Sequence, residues 1–270
     1  MQWRAYNALM NPVRNRARAS APKGPTGRAI SNGMKHVLVV GGSEEYSGAV
    51  YLAGIAALRS GAESVIVMAP EKVAWAVNAL SPDLVTRKLR GKYLALSHKA
   101  EILRQLKTAD VLVIGNGATT RPATAALMRA LCEWRGKKVI DADALKVLRG
   151  NKISNAILTP NSGEWKFLEK NTGIKKLLET NVIIKKGMPT EILSRTKTFR
   201  QKSTNRGLEK AGTGDVLAGL CAGYLVQGLS LWDAAKRACE TGNTVAELLT
   251  KKKKGYYFLA SDILQELKKS

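Results

Sequence analysis

The sequence predicts an α/β fold built on a mainly parallel central sheet with helices on both faces. Three observations carry this. From residue 36 onwards, short β-rich runs alternate with longer segments of helical period, the pattern of repeated β–helix–β units with right-handed crossovers. Runs such as Val111-Leu-Val-Ile114 and Val182-Ile-Ile184 are apolar without alternation, which is how strands covered on both faces read. Glycine and acid clusters follow directly on strands: Gly41-Gly42-Ser43, Gly115-Asn116-Gly117 and Asp141-Ala142-Asp143. Ligands of open parallel sheets bind outside those carboxyl ends.

The elements follow in order. Residues 36–40 form a strand that ends at the first glycine pair, and residues 47–60 a helix with Val50, Ala53, Gly54 and Ala57 on one face. A strand at 64–69, a helix through 75–80 and a strand at 84–89 come next. A helix at 99–107 leads to a strand at 111–115, a helix at 122–134 and a strand at 138–141. The segment after Ala142, rich in Lys, Leu and Arg, is expected to be helical. It leads to a strand at 156–158, a helix at 163–169 and a strand at 182–185. Residues 191–193 and 197–200 form a hairpin around Ser194-Arg195, and helices near 215–227, 231–249 and 261–268 close the chain. Residues 34–270 show no internal repeat and no boundary, so they are expected to be one domain behind a basic, poorly ordered extension at 1–33.

Composition narrows the function. With 270 residues, 45% apolar and 24% charged, the chain has ordinary globular make-up, and no apolar run approaches the length of a membrane span. Three cysteines (Cys132, Cys221 and Cys239) without a CxxC pair argue against a disulfide framework or zinc site, and for small buried hydrophobes in a reducing compartment. With only two histidines, His36 and His98, acid–base chemistry falls on carboxylates or lysines. The net charge is +23. Residues 1–33 carry Arg4, Arg14, Arg16, Arg18, Lys23 and Arg28 and no acid. Such a segment reads as an organellar transit peptide, a nucleic-acid-binding arm, or a leader ahead of Met34. The Lys251–Lys254 run reads as a solvated face. A field of this sign favours anionic ligands, nucleotides above all, and non-specific contact with RNA. A cytoplasmic location is expected, with organellar targeting by the basic segment as the alternative.

The most informative stretch is Ala211-Gly-Thr-Gly-Asp-Val-Leu-Ala-Gly219. Gly212 and Gly214 permit close backbone approach, and the apolar period resumes at Val216, Leu217, Leu220, Tyr224 and Leu225, so the loop opens a helix. Exposed amides and the dipole at that N-terminus make a site for phosphate or developing negative charge, with Asp215 at its mouth. The alternative is that Thr213 or Asp215 only caps the helix. The loop lacks the Gly-Lys-Ser/Thr ending of a P-loop and is not G-x-G-x-x-G.

These nine residues resemble the signature of the NAD(P)H-hydrate dehydratases, a branch of the ribokinase-like superfamily. Further motifs agree in order: Gly41-Gly-Ser-Glu-Glu-Tyr-Ser-Gly-Ala49 with Leu52 and Ala56-Ala-Leu-Arg-Ser-Gly61, Ala109-Asp-Val-Leu-Val-Ile-Gly-Asn-Gly117, Val139-Ile-Asp-Ala-Asp-Ala-Leu145, Leu158-Thr-Pro-Asn-Ser-Gly-Glu164, Lys186-Gly187 and Phe258-Leu-Ala-Ser-Asp-Ile-Leu264. The resemblance spans about residues 36–267. Two stretches depart from the family pattern. Asn205-Arg-Gly-Leu-Glu-Lys-Ala211 stands where the family has Asn, Pro, small residues and Met, and the turn Gly115-Asn116-Gly117-Ala118 replaces Gly-Pro-Gly-Leu/Met-Gly. Thr159-Pro-Asn161, with Asn in place of His, is closer to archaeal and eukaryotic members.

The resemblance implies a ribokinase-like fold without the epimerase domain often fused upstream, and repair of NADHX and NADPHX, in which water has added across a nicotinamide C=C bond. The water is removed at the expense of ADP in prokaryotic members and ATP in eukaryotic ones; the archaeal-type features point to ADP. It implies Asp215 as the catalytic base. Ala49, Gly117, Asn161 and Glu164, with Asp215, would line the hydrate site. Lys186, Gly187, Met188, Pro189, Thr190, Gly212, Thr213 and Gly214 would hold the nucleotide. Mg²⁺ would bridge the phosphates without a dedicated protein site, and the chain would form homo-oligomers. Two rival readings stand beside this one: a vitamin or sugar kinase using the same Gly-x-Gly-Asp logic, and a basic RNA-associated protein that keeps the fold without catalysis.

Overall fold

The computed structural model describes residues 35–150, 152–201, 204–253 and 255–267. The expectations for the basic segment 1–33 lie outside the described residues. Among the described residues, nine strands make one sheet: β1 (His36–Val40), β2 (Ser64–Pro70), β3 (Val85–Leu89), β4 (Val111–Ile114), β5 (Lys137–Ile140), β6 (Ala156–Leu158), β7 (Val182–Lys185), β8 (Glu191–Leu193) and β9 (Thr198–Arg200), in the order β3-β2-β1-β4-β5-β6-β7-β8-β9. The first seven run parallel, and β8 and β9 continue the edge as an antiparallel hairpin. The order reverses between β1 and β4, the kind of crevice where open α/β sheets bind ligands.

The helices are α1 (Ser47–Arg59), α2 (Glu71–Leu80), α3 (Lys99–Gln105), α4 (Pro122–Cys132), α5 (Ser162–Asn171), α6 (Ile174–Leu178), α7 (Thr213–Val226), α8 (Leu231–Lys252) and α9 (Ala260–Glu266). Adjacent strand residues feed two separate cores. Val37, Val39, Val111 and Val113 pack with residues of α1, α2, α7, α8 and α9. Leu38, Val40, Leu112 and Ile114 pack with those of α3, α4, α5 and α6. Burial on both faces is why these strands show no polar alternation. On the first face α7 presses against α1: a Cβ at Gly219 would sit 2.6 Å from the Ala56 methyl, so only glycine permits that approach. The approach brings the start of α7 over the carboxyl ends of the central strands.

Two expectations need correction. The segment after Ala142 is a 3₁₀ stretch, Ala142–Val147, and not an α-helix. Ala142 itself has φ +48°, and Leu148 is already extended, so no second α-turn can propagate. The periodicity predicts no helix at α6, because its single turn buries only Leu177. Other differences are boundaries: α2 starts at Glu71, straight after Pro70, and α8 runs on to Lys252. In the Lys251–Lys254 run, Lys252 and Lys253 are exposed and pair with Glu266 (2.6 Å) and Asp262 (2.8 Å). All three cysteines are buried thiols. No helix among the described residues is long and apolar enough to cross a membrane.

Candidate active site

The loop before α7 is held open by glycine and fastened by threonine. Gly212 has φ +86°, and a Cβ there would meet Leu52 Cδ1 at 2.8 Å and Ala260 Cβ at 2.9 Å. Thr213 is buried; its hydroxyl donates to the carbonyls of Leu208 (2.5 Å) and Lys210 (2.7 Å). Thr213 therefore contributes by tying down the loop, with its side-chain oxygen already engaged. Its N–H is taken by Lys210 O, and that of Val216 by Gly212 O. Among the described residues, the Gly214 and Asp215 amides remain as uncommitted donors of the helix N-terminus. A Cβ on Gly214 would come within 3.1 Å of Lys186 Nζ, so glycine here keeps a gap between the helix start and that ammonium.

Asp215 belongs to a polar cluster assembled from the carboxyl ends of four neighbouring strands. After β4, Asn116 Nδ2 donates to Asp215 Oδ1 at 2.7 Å and to Asp141 Oδ2 at 3.0 Å. After β5, Asp141 also accepts from Thr159 Oγ1 (2.6 Å), which follows β6, and from Lys186 Nζ (3.0 Å), which follows β7. The reverse orientation of the Asn116 amide would set its oxygen against two carboxylates, so the polarity is settled by its neighbours. Burial and the adjacent Asp141 charge push the Asp215 carboxyl up to about 7, against the pull of Asn116 and Lys186. Burial drags on the Lys186 ammonium, but Asp141 and Glu164 outweigh it and hold its pKa above the ordinary value. At neutral pH the cluster thus offers a fixed cation beside a carboxylate poised to exchange a proton.

The remaining predicted residues fall into three groups. Asn161 and Glu164 form a reciprocal cap on α5: Asn161 Oδ1 accepts from the Glu164 amide and Glu164 Oε2 from the Asn161 amide, both at 2.9 Å. Burial raises the Glu164 carboxyl above its usual range. Both residues line the same cavity of about 480 Å³ as Asp141, Lys186, Gly214 and Asp215. Gly187, Thr190, Gly212 and Thr213 also line it, whereas Met188 and Pro189 do not, and Met188 projects into solvent. Ala49 and Gly117 lie outside the lining but against each other: a Cβ on Gly117, with φ +63°, would sit 3.0 Å from Ala49 Cβ. Gly117 directly follows Asn116, the residue that holds Asp215. Asn116, Asp141 and Thr159 are not among the site residues expected from the sequence. The available signal was their shared position just past consecutive strands.

Residues 37–269 match the family model described as NAD(P)H-hydrate dehydratase. The chain belongs to that family. It is 34% identical over 268 residues to the bifunctional NAD(P)H-hydrate repair enzyme Nnr of Methanothermobacter thermautotrophicus, covering 92% of this chain and 50% of that protein. It is 31% identical over 257 residues to the ADP-dependent (S)-NAD(P)H-hydrate dehydratase of Nitrosopumilus maritimus, covering 89% and 88% of the two chains. The chain thus spans about half the length of the bifunctional relative. A ribokinase-like superfamily protein of Enterococcus faecalis V583 superposes with a TM-score of 0.75 at 22% identity, over 89% of each chain. The fold is ribokinase-like.

The unusual residues of this dehydratase-family chain at 205–211 have a structural use. Asn205 Oδ1 accepts from the Gly207 amide and caps a 3₁₀ turn, Arg206–Glu209, while its own N–H reaches Asn243 Oδ1 at 2.7 Å. Lys210 Nζ donates to the carbonyls of Tyr256 and Phe258 (the latter at 2.9 Å). These contacts fasten the stretch ahead of α9 to the loop that opens α7.

Proposed function

We propose that this protein dehydrates (6S)-NADHX and (6S)-NADPHX to NADH and NADPH, using ADP and releasing AMP and phosphate. The observation that carries the reading is the Asp215 carboxylate, tied by Asn116 at the N-terminus of α7 and sharing a cavity with Lys186. The cavity lies within the usual size range for a small-molecule site.

Hydroxide is a poor leaving group and phosphate a good one, so the reading divides the dehydration into transfer and elimination. Asp215 accepts the proton of the C6 hydroxyl as that oxygen attacks the terminal phosphorus of ADP, and the bond to the bridging oxygen breaks to leave AMP. The Gly214 and Asp215 amides and Lys186 stabilise the charge on the transferring group. The ring nitrogen's lone pair then expels phosphate from C6, and loss of a C5 proton restores the C5=C6 bond. Gly187 and Thr190 would border the donor; Asn161, with Ala49 and Gly117 beside Asn116, would border the hydrate.

Mg²⁺ fits this arrangement as a companion of the phosphates. Among the described residues, no group of three or more His, Cys, Asp or Glu could hold a metal. Asp141, Glu164 and Asp215 already accept hydrogen bonds from protein donors. Such a donor set suits an ion carried mainly by phosphate oxygens and water, which would supply charge neutralisation on the donor.

The test follows recovery of the reduced-nicotinamide absorbance from NADPHX with Mg²⁺ and ADP, ATP or no nucleotide. Recovery with ADP is expected. A stable phosphorylated product in its place would favour the kinase reading, and no recovery from folded protein would overturn the dehydratase reading. Sedimentation tests the proposed homo-oligomer.

A further inference from the structure

A second recess, of about 550 Å³, opens on the far side of Asn161 and Glu164, which line both it and the main cavity. Its walls carry Arg129 from α4, Lys146 from the 3₁₀ stretch, Arg149 just after it, and Phe167 from α5. Three cations line it against the carboxylate of Glu164, with Asp143 paired to Lys146 at its edge, so the recess is net positive. Lys146 is held at 2.9 Å by Asp143 and lies 3.9 Å from Glu164. The Arg149 guanidinium donates to Asn171 Oδ1 at 3.1 Å and stands 5.7 Å over the Phe167 ring. Arg129 is half-buried, and no carboxylate among the described residues pairs with it. A half-buried guanidinium fork without an acid partner among the described residues matches the oxygens of a phosphate.

Lys186, Gly187 and Thr190, the residues proposed to border the donor, line the main cavity and not this recess, so the recess is available to the other substrate. We propose that it receives a phosphate of the adenylate half of the dinucleotide hydrate, with Arg129 as the specificity-determining residue. This rests on the dehydratase reading of the adjoining cavity. With the C6 hydroxyl at Asp215, the rest of the dinucleotide leaves past Asn161 and meets the cationic recess. The phosphate concerned is either the pyrophosphate, common to both hydrates, or the ribose 2′-phosphate that only NADPHX carries.

The experiment titrates NADP⁺, NAD⁺ and nicotinamide mononucleotide into wild-type, Arg129→Ala and Arg129→Lys proteins by calorimetry, and measures KM for NADPHX, NADHX and ADP. Arg129→Ala is expected to weaken NADP⁺ and raise KM for NADPHX roughly tenfold or more, the scale of one charged hydrogen-bonded contact. KM for ADP stays unchanged, and Arg129→Lys recovers part of the loss. Weakening confined to NADP⁺ and NADPHX assigns the 2′-phosphate. Equal weakening of NAD⁺ and NADP⁺, sparing the mononucleotide, assigns the pyrophosphate. Unchanged dinucleotide affinity in Arg129→Ala and in Arg129→Ala/Lys146→Ala, or a loss falling on ADP, overturns the proposal. Hydrate turnover by the wild type is scored separately: if it is absent the dehydratase reading fails, and the dinucleotide titration still decides the recess.

Discussion

Asp141 and Asp215 accept hydrogen bonds from a single amide group, Asn116 Nδ2, at 3.0 and 2.7 Å. The two carboxylates would otherwise repel across a buried pocket, and the shared donor lowers that repulsion while fixing the rotamer of Asp215. Asn116 places a side-chain donor inside the glycine turn Gly115-Asn116-Gly117. Replacing Asn116 by Ala removes the tether and one influence that lowers the Asp215 pKa. The expected outcome is a fall in kcat of roughly tenfold or more from misorientation of the base, with little change in KM for ADP. The acid limb of the pH–rate profile should move to higher pH. An unmoved profile would reduce Asn116 to a packing role.

With Asp215 as the proposed base, the pH dependence follows from its titration. A base with a pKa of about 7 is active when deprotonated, so kcat/KM is expected to rise with pH, tenfold per unit below about 7, and level off above it. Asp141→Asn removes the neighbouring charge that helps raise this pKa and should shift the limb to lower pH. Stability runs the opposite way. The folded protein holds a proton that the unfolded carboxyl has lost, so stability falls as pH rises from the ordinary value of 3.8 to about 7. Asp215→Asn should therefore raise Tm above neutral pH while lowering turnover by roughly two orders of magnitude or more. Nucleotide affinity is expected to survive.

Lys186 balances Asp141 at 3.0 Å, and Asp141 is almost fully buried. Lys186→Met would leave that carboxylate without its cation, at a cost of about 3–5 kcal/mol in stability. KM for the nucleotide should rise roughly tenfold through loss of the proposed charged phosphate contact. Chemical denaturation and steady-state kinetics read the two effects separately.

Gly212→Ala combines a left-handed φ of +86° with contacts of 2.8 and 2.9 Å to Leu52 and Ala260. Backbone strain of this kind costs about 1–3 kcal/mol. The packing conflict also pushes the loop away from α1 and α9. Lower Tm together with weaker ADP binding is expected; an unchanged affinity would show that the Gly214 and Asp215 amides hold position without Gly212.

Far from the cavity, Lys138 in β5 is fully buried, donates to the Ser154 carbonyl, and has its pKa lowered by burial to about 8. The unfolded chain keeps the ordinary value of 10.5, so between pH 8 and 10.5 it binds more protons than the native state. Stability is expected to rise across that window, by up to about 3 kcal/mol at 1.36 kcal/mol per unit. Lys138→Met should abolish the alkaline rise, measured by urea denaturation at pH 7, 8.5 and 10.

Much of this architecture is legible in one sequence because it rests on short-range signals. The unbroken apolar runs of β4 and β7 announce burial on both faces, and Gly212 and Gly214 followed by an apolar helical period announce a loop opening α7. Where local signals conflict, reading fails. The stretch after Ala142 has helix-forming side chains, yet the turn out of β5 sets Ala142 at φ +48° and leaves room only for 3₁₀ turns.

From the sequence alone follow the parallel sheet, the order of its elements, and the candidacy of Asp215 at the start of α7. Those depend on periodicity, turn chemistry and motif order, which are properties of neighbours along the chain. Only the tertiary structure decided that Asn116, Asp141, Thr159 and Lys186 form one hydrogen-bonded cluster with Asp215, although 99 positions separate Asn116 from Asp215. It also decided that Asn161 and Glu164 cap α5 while separating two recesses. The reason is geometric: parallel pairing of β4, β5, β6 and β7 brings their carboxyl ends side by side, and only that register converts isolated polar residues into a shared field around one carboxylate.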